Sequence, residues 1–155
     1  EGLGIYTHRE IEARNEITLA KYSTVIAIEG TVLADIARNH ILPCALKYPN
    51  RLLDNVKGIK EIFGDKEFKD LAKEQMNMIG EISQHVSIIK VEADALLAAI
   101  KNAKSIEDPQ QSAEQFCTDV KPRFEKIRNS TDALEMVVDD ELWPMTKYRE
   151  LLFTR

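Results

Sequence analysis

The side chains in this chain that are most able to do chemistry are three histidines and two cysteines. Glu81 and His85 stand four residues apart, which on a helix places them on one face, where they could share a metal ion or a proton. A dinuclear metal site in a helical bundle needs two Glu-x-x-His motifs and two further glutamates, and the sequence contains no such motif. We therefore interpret Glu81 and His85 as a hydrogen-bonded or solvated pair.

A second pair, His40 and Cys44, has the same spacing and could form a nucleophilic or redox centre. Pro43 lies between them and disturbs the helix geometry that would bring them together. We interpret Cys44 and Cys117 as buried apolar residues, His40 as half-buried, and His8 as exposed in a first helical turn. Two cysteines without CxxC spacing favour a reducing, cytoplasmic setting.

The familiar motifs for phosphate binding and nucleophilic catalysis do not occur in this sequence. It has no Gly-x-x-x-x-Gly-Lys-Ser/Thr, no Gly-x-Gly-x-x-Gly and no Gly-x-Ser-x-Gly. We therefore predict no catalytic residue, no cofactor-binding residue and no metal ligand in this segment.

Composition narrows the function classes further. The 155 residues include 26 acidic and 21 basic side chains, a formal charge of −5, which argues against a nucleic-acid partner. Hydrophobic residues make up 44%, enough for the core of one domain. Because no uninterrupted apolar run approaches the ~20 residues of a membrane span, we expect no membrane partner.

The first helix has a clear beginning. Thr7 and Glu10 have the spacing of a capping box, and the helical pattern runs from Thr7 to about Lys47. Apolar residues recur at spacings of three and four, which predicts a helical stripe of Val25, Ile28, Val32 and Ile36. Pro43 is expected to kink or end this helix.

The middle of the chain predicts two more helices. A break is expected at Tyr48-Pro49-Asn50, followed by a shorter apolar helix that Gly64 ends. Asp65 can cap the next helix, which should run from about Lys66 to Lys104. Its core face is predicted from a heptad-like stripe of Phe68, Leu71, Met78, Ile82, Ile89, Leu96 and Ala103.

The last long helix begins after Asp108, a good N-cap, and should bend at Pro122 and end near Val138. The sequence thus predicts an all-α fold, an elongated antiparallel bundle of three long helices plus one shorter helix, with an extended aromatic C-terminal tail. Residues 1–141 form the predicted bundle domain and residues 142–155 a docking tail of the same domain.

The predicted tail is rich in the residue types that anchor interfaces. It either covers the end of its own bundle or docks on another domain, and the two interpretations carry about equal weight. The candidate interface residues are Trp143, Pro144, Tyr148, Arg149, Leu152 and Phe153.

Polar residues also interrupt the first helix, namely Arg14, Asn15, Glu16, Glu29 and Asp35. We interpret them as solvent-facing or hydrogen-bonded between helices. Contact with a further domain is the alternative, and it is close for Arg14 and Glu29.

Two stretches together carry a family resemblance. One comprises residues 6–17, followed by Ile26-Ala27-Ile28-Glu29 and Asn39-His40-Ile41-Leu42-Pro43. The other is the ending, residues 140–153, with Leu-Trp-Pro and Tyr-Arg-Glu-Leu-Leu-Phe as its most specific parts. Both resemble the C-terminal region of type III glutamine synthetases, the large-subunit bacterial class, and the likeness covers essentially the whole chain.

The resemblance implies that the full protein joins glutamate and ammonia through a γ-glutamyl phosphate, using ATP and Mg or Mn. It also implies stacked hexameric rings and a catalytic domain upstream of this segment, which holds the metal, ATP and glutamate contacts. No catalytic residue carries over to this chain. The expected partner is the catalytic domain of its own or a neighbouring subunit, in a cytoplasmic homo-oligomer.

The chain starts at Glu1 rather than Met, from which we expect a segment of a longer protein. A free-standing helical interaction module is the alternative function. A helical-bundle metalloenzyme is a third possibility, and it would require clustered Glu and His ligands.

Overall fold

The computed structural model describes residues 6–153, without the side chains of Lys66, Tyr148 and Arg149. Every regular element in this range is a helix, so the all-α prediction is confirmed. The α-helices are α1 (His8–Ile36), α2 (Leu42–Leu71), α3 (Lys73–Lys104), α4 (Pro109–Gln115), α5 (Lys121–Val137) and α6 (Tyr148–Leu151).

Two of the predicted caps, at Thr7 and Asp108, are confirmed. Thr7 accepts a hydrogen bond from the Glu10 backbone N–H, and the Glu10 carboxylate accepts one from the Thr7 backbone N–H at 2.7 Å. The hydrogen bonds from the backbone and side chain of Thr7 stabilise the ionised form of the Glu10 carboxylate, so its pKa lies below the ordinary glutamate value. Asp108 accepts from the Gln111 N–H at 2.7 Å and starts α4.

Two prolines are accommodated by π-helical turns rather than by breaks. A π turn, Ala37–Ile41, joins α1 to α2, and the Leu42 N–H donates to the Ala37 carbonyl, five residues back. Pro43 follows directly. A proline ring clashes with the carbonyl four residues back in an α-helix, and the wider π turn relieves that clash locally. The helical path therefore continues through Pro43, and the expectation that Pro43 could end the helix is wrong.

The second π turn, Phe116–Val120, repeats this arrangement between α4 and α5. The Lys121 N–H donates to the Phe116 carbonyl, and Pro122 follows at the same offset from the turn. A bend is predicted at Pro122, and what the structure shows there is one extra residue in the preceding helical turn. The end of α5 at Val137 agrees with the prediction.

The expected break at Tyr48-Pro49-Asn50 is wrong. Pro49 lies inside α2, and the residues around it keep helical geometry. A proline removes one backbone hydrogen bond but ends a helix only if the backbone leaves the helical region. The break occurs instead at Gly64, as predicted, where φ is 70° and ψ is −178°. Such angles are essentially restricted to glycine.

The core lies along α3. Four residues spaced by seven, Ile82, Ile89, Leu96 and Ala103, are 0% exposed. This confirms the second half of the predicted stripe, whereas Leu71 in the first half is 49% exposed. The opposing core residues include Ala34 of α1, Ile41 of the first π turn and Ala45 of α2. From the second π turn and α5 they include Phe116, Val120, Ile127 and Leu134.

Polar contacts fix α3 between its neighbours. Arg38 forms an ion pair with Asp94, and Glu92 receives Arg123 at 3.2 Å and Lys126 at 2.9 Å. From Gly30 to Arg38 the contact on α3 moves from Ile100 back to Asp94, so this part of the chain runs antiparallel to α3. From Ser112 to Arg123 it moves from Ala103 back to Glu92, so the last helices are antiparallel to α3 as well. Hydrogen bonding to Asp119 is the main cause of a raised pKa at Arg123, which keeps this group charged.

Gly30 marks the closest approach of α1 to the bundle. A Cβ atom there would lie 2.8 Å from Ile100 Cδ1 and 3.0 Å from Phe124 Cε1. The small side chain lets α1 pack tightly on α3 and α5. The buried face of α1 is therefore built from Ile26, Ala27, Gly30 and Ala34. Of the predicted stripe, only Ile36 packs against the core, where it is half-buried.

Candidate interaction surface

The start of the C-terminal segment packs on the bundle. Trp143 is 8% exposed and belongs to the hydrophobic core. The residue before it, Leu142, accepts a hydrogen bond from the Cys44 thiol of α2 at 2.9 Å. The indole thus closes one end of the core in the way expected if the tail covers its own bundle.

Three consecutive acids precede this indole, and basic residues balance them. Arg51 of α2 lies 3.0 Å from Asp139 and 3.9 Å from Glu141. Asp139 also accepts from the Leu142 and Trp143 N–H groups through its backbone carbonyl, at 3.0 and 3.1 Å. The acids that are unfavourable at the end of α5 therefore serve to turn the chain back onto α2.

Lys147 fixes the other side of the indole. Its ammonium group donates to the Glu135 carbonyl at 2.7 Å, forms an ion pair with Asp140, and lies 5.9 Å from the centre of the Trp143 ring. The Lys147 side chain is only 13% exposed. A cation near an aromatic face is attracted to it, and more strongly when both groups are partly desolvated.

Beyond Lys147 the chain makes one helical turn, Tyr148–Leu151, so the segment is not extended throughout. Leu152 is 80% exposed and Phe153 is 82% exposed, and Pro144 is also exposed. The side chains of Tyr148 and Arg149 lie outside the described part. Of the six candidate interface residues, Trp143 is therefore used within the bundle, and Leu152 and Phe153 remain available for an external contact.

The residues singled out for chemistry do not come together. The interpretation of His40 as half-buried is wrong, because it is exposed on the first π turn. Cys44 is buried, and its thiol donates a hydrogen bond to the Leu142 carbonyl. Glu81 is exposed, and Nδ1 of the half-buried His85 has no hydrogen-bond partner within residues 6–153. Within that range no three His, Cys, Asp or Glu residues are grouped to hold a metal ion.

The two cysteines differ in environment, which corrects the interpretation of both as buried. Cys117 is exposed and Cys44 is buried. Burial is the main cause of a raised pKa at the Cys44 thiol, while Lys47 and Lys147 lower it slightly. Because the thiolate is the nucleophile, Cys44 is doubly protected, by burial and by protonation.

We expect a water-soluble maleimide to label Cys117 and not Cys44 in the native protein. The pKa of Cys44 is raised in the folded state, so protection should persist up to the pH at which an ordinary thiol ionises. At higher pH the folded state loses stability, because it must bury a thiolate or keep a proton that the unfolded chain releases. Mass spectrometry of labelled peptides would show this, and equal labelling of both thiols would contradict it.

An open cleft of about 570 Å³ lies between α1 and α4. Leu19, Tyr22 and Cys117 are among its lining residues. The pKa of Tyr22 is raised, mainly by burial and also by the neighbouring Cys117. The phenol therefore stays neutral at physiological pH.

The polar residues of α1 are mostly exposed, as interpreted. Arg14 packs 4.5 Å above the centre of the Tyr6 ring, and Asp35 accepts a hydrogen bond from Asn39 at 2.6 Å. Glu16 and Glu29 are exposed. These contacts are local to α1, and they leave contact of Arg14 or Glu29 with a further domain as a prediction.

The largest departure from the sequence-based expectation is the outer face of α1, by which we mean Ile17, Val25, Ile28 and Val32. The first of these was not part of the predicted stripe, and the other three were. All four are exposed, at 68%, 42%, 59% and 51%. The signal that could have revealed this was present in the sequence, because Ala27, Gly30 and Ala34 form a second stripe of small residues suited to close packing.

The same region is apolar enough to cross a membrane by length and composition alone. The helical range His8–Asp65 contains an 18-residue window of mean hydropathy 1.3, of which 22% is buried. The core helix of a water-soluble protein gives the same signal.

Comparisons with known proteins agree on one family. The model of the glutamine synthetase C-terminal domain matches residues 1–60. A glutamine synthetase of Bacteroides fragilis is 43% identical over 154 residues, which cover 99% of this chain and 21% of that protein. A type-3 glutamine synthetase of Dictyostelium discoideum is 28% identical over 146 residues, covering 94% and 20%. The chain thus spans about one fifth of the length of the curated relatives it matches.

Proposed function

The chain belongs to the family of glutamine synthetase C-terminal domains, and from that premise we propose that it is the non-catalytic C-terminal part of an ATP-dependent glutamate–ammonia ligase. Its proposed role is in subunit structure or assembly. ATP and Mg or Mn are bound, in this proposal, by the remainder of the protein, which precedes this segment. The setting is the cytoplasm and the assembled protein is a homo-oligomer.

The observation that carries the role in assembly is the contrast within the C-terminal segment. Trp143 and Lys147 are fixed on the bundle, so the following residues leave from a defined position. Leu152 and Phe153 are nevertheless 80% and 82% exposed. Large apolar side chains held next to a fixed anchor are typical of interface hot spots, which insert into a pocket on a partner. The partner is the catalytic domain of the same or a neighbouring subunit.

A double substitution in the full-length protein tests this role. We expect Leu152→Ser with Phe153→Ser to shift the assembly toward smaller species, and to weaken association by about tenfold or more, since hot-spot truncations typically cost more than 1 kcal/mol each. Size-exclusion chromatography with light scattering gives the mass over a dilution series. Glutamine formation is measured on the same samples.

Met136→Ser is the matched control, because Met136 is an apolar residue of α5 that is 85% exposed. It should leave both mass and activity unchanged. If the double variant keeps the parental mass and activity at every dilution, the proposed docking of the C-terminal residues is wrong.

A further inference from the structure

We propose that the outer face of α1 is the docking surface for the part of the same polypeptide that precedes this segment. This inference rests on the proposed function in one respect only, namely that the chain is the C-terminal part of a longer ligase. It assigns a contact that is separate from the one made by Leu152 and Phe153.

The distribution of residue sizes around α1 is the first argument. The side that contacts the bundle has the small residues Ala27, Gly30 and Ala34 at its centre, with Ile26 beside them, and a Cβ at Gly30 would lie 2.8 Å from Ile100. The outward side carries the large branched residues, with Ile28 59% exposed and Val32 51% exposed. A helix with only one partner places its bulky residues inward. Here large apolar residues lie on both sides, Ile26 inward and Ile28 and Val32 outward, which indicates a second partner besides the described bundle.

The length of α1 is the second argument. It has 29 residues, yet its buried residues all lie between positions 26 and 34. In the first fourteen residues, 8–21, every side chain is exposed except that of Leu19, which is half-buried. Helices in proteins derive most of their stability from packing of an apolar face rather than from propensity. The N-terminal half of α1 needs a further contact, and Ile17 supplies the apolar group for it.

The identity of the occupant follows from chain connectivity in the relatives. This chain matches about one fifth of their length, as their C-terminal segment. The preceding four fifths therefore join at the N-terminal end of α1, and Ile17 lies close to that junction. A surface tethered this near experiences an effective concentration in the millimolar range, which favours it over a free partner. The family model also matches the range that holds this face, residues 1–60.

A membrane is the less suitable occupant. Lys21 and Glu29 both lie within the apolar stretch of α1 and both are exposed. Charged side chains are costly at the centre of a bilayer, whereas at a protein interface they can reach the polar rim. A protein surface with an apolar centre thus fits the outer face better.

The test uses the full-length polypeptide with the photoreactive residue p-benzoylphenylalanine in place of Ile28. The matched sample carries it in place of Val91, an outward-facing residue of α3 that is 61% exposed, close to the 59% of Ile28. We expect Ile28 to cross-link to peptides that precede this segment, with a yield several-fold above that of Val91. Peptide mapping by mass spectrometry identifies the partner.

A second measurement does not depend on cross-linking chemistry. Ile28→Cys in the full-length protein should react with a water-soluble maleimide at least about tenfold more slowly than Val91→Cys, because a docked face is shielded from reagent. Cross-links confined to a second copy of the C-terminal segment would overturn the proposal. So would equal labelling of the two cysteines, or protection of Ile28→Cys that appears only when phosphatidylglycerol vesicles are added.

These outcomes are distinguishable from failure of the proposed function. If position 28 is accessible while the double substitution of Leu152 and Phe153 still disrupts assembly, the proposed function is retained and only the proposed contact through α1 is wrong. If Ile28 cross-links to preceding peptides while that variant has no effect, the segment still packs on its parent protein, but the C-terminal residues do not contribute to the assembly.

Discussion

Replacing Trp143 with alanine is expected to lower the free energy of unfolding by about 3–5 kcal/mol. The indole is 8% exposed and joins the core cluster, and its removal leaves a cavity between α2, α5 and the C-terminal segment. It also removes the ring near which the Lys147 ammonium lies. For a domain of this size the melting temperature should fall by on the order of 10 °C. Thermal unfolding followed by circular dichroism at 222 nm measures this.

Two further variants separate packing from hydrogen bonding at this position. The indole Nε1 is buried and has no hydrogen-bond partner among the described residues. Trp143→Phe therefore loses volume but no hydrogen bond, and should cost clearly less than Trp143→Ala. Phe153→Ala, at an 82% exposed site ten residues on, should leave the stability of the chain unchanged. A melting temperature unaffected by Trp143→Ala would show that the segment is not seated on the bundle.

The second large effect is expected in the middle of α3. Ile89 is 0% exposed and belongs to the set of buried α3 residues spaced by seven. Ile89→Ala removes three buried carbon atoms from the hydrophobic core, and should cost about 2–5 kcal/mol. Urea unfolding at equilibrium gives the free energy and shows whether the transition stays cooperative.

Val91 offers a control two residues away on the same helix. It is also β-branched, but it is 61% exposed. Val91→Ala should change stability by no more than about 0.5 kcal/mol, and alanine's higher helix propensity favours a slight gain. Equal losses in Ile89→Ala and Val91→Ala would mean that α3 is not packed as described.

Features encoded over a few residues could be predicted from the sequence. The capping box of Thr7 and Glu10, the Asp108 cap and the break at Gly64 each depend on neighbours within four positions. The buried face of α3 was also predictable, because Ile82, Ile89 and Leu96 repeat every seven residues, an interval typical of a packed helix face. In all these cases the local pattern has one structural solution.

Features that depend on distant partners could not be predicted in the same way. The stripe of Val25, Ile28 and Val32 has helical spacing, and spacing alone does not say which of two apolar faces the bundle will cover. The close contact of Gly30 with Ile100 and Phe124 decides that, and it joins residues 70 and 94 positions apart. The helix likewise continues through Pro49, whose neighbours Tyr48 and Leu52 pack against the distant parts of the core.

The candidate site was predicted in part. The sequence indicated that the end of the chain carries contact residues, and the structure separates Trp143, which is buried, from Leu152 and Phe153, which are exposed. The contact between the C-terminal segment and the bundle depends on Cys44 and Arg51 of α2, about ninety residues earlier in the chain. No local pattern around these two residues connects them with the tail.

A single-residue insertion or deletion should change the structure more at a π turn than in a loop of this chain. A π turn holds one residue more than an α-helical turn, so its loss would rotate everything after it by about 100° around the helix axis. A deletion within Ala37–Ile41 would thus turn the faces of α2 relative to α1, and one within Phe116–Val120 would do the same to α5. The same deletion in the short connection between α3 and α4 would change only a loop length. Length variation among natural sequences of this domain is therefore expected at residues 105–108, and a constant length is expected at the two π turns.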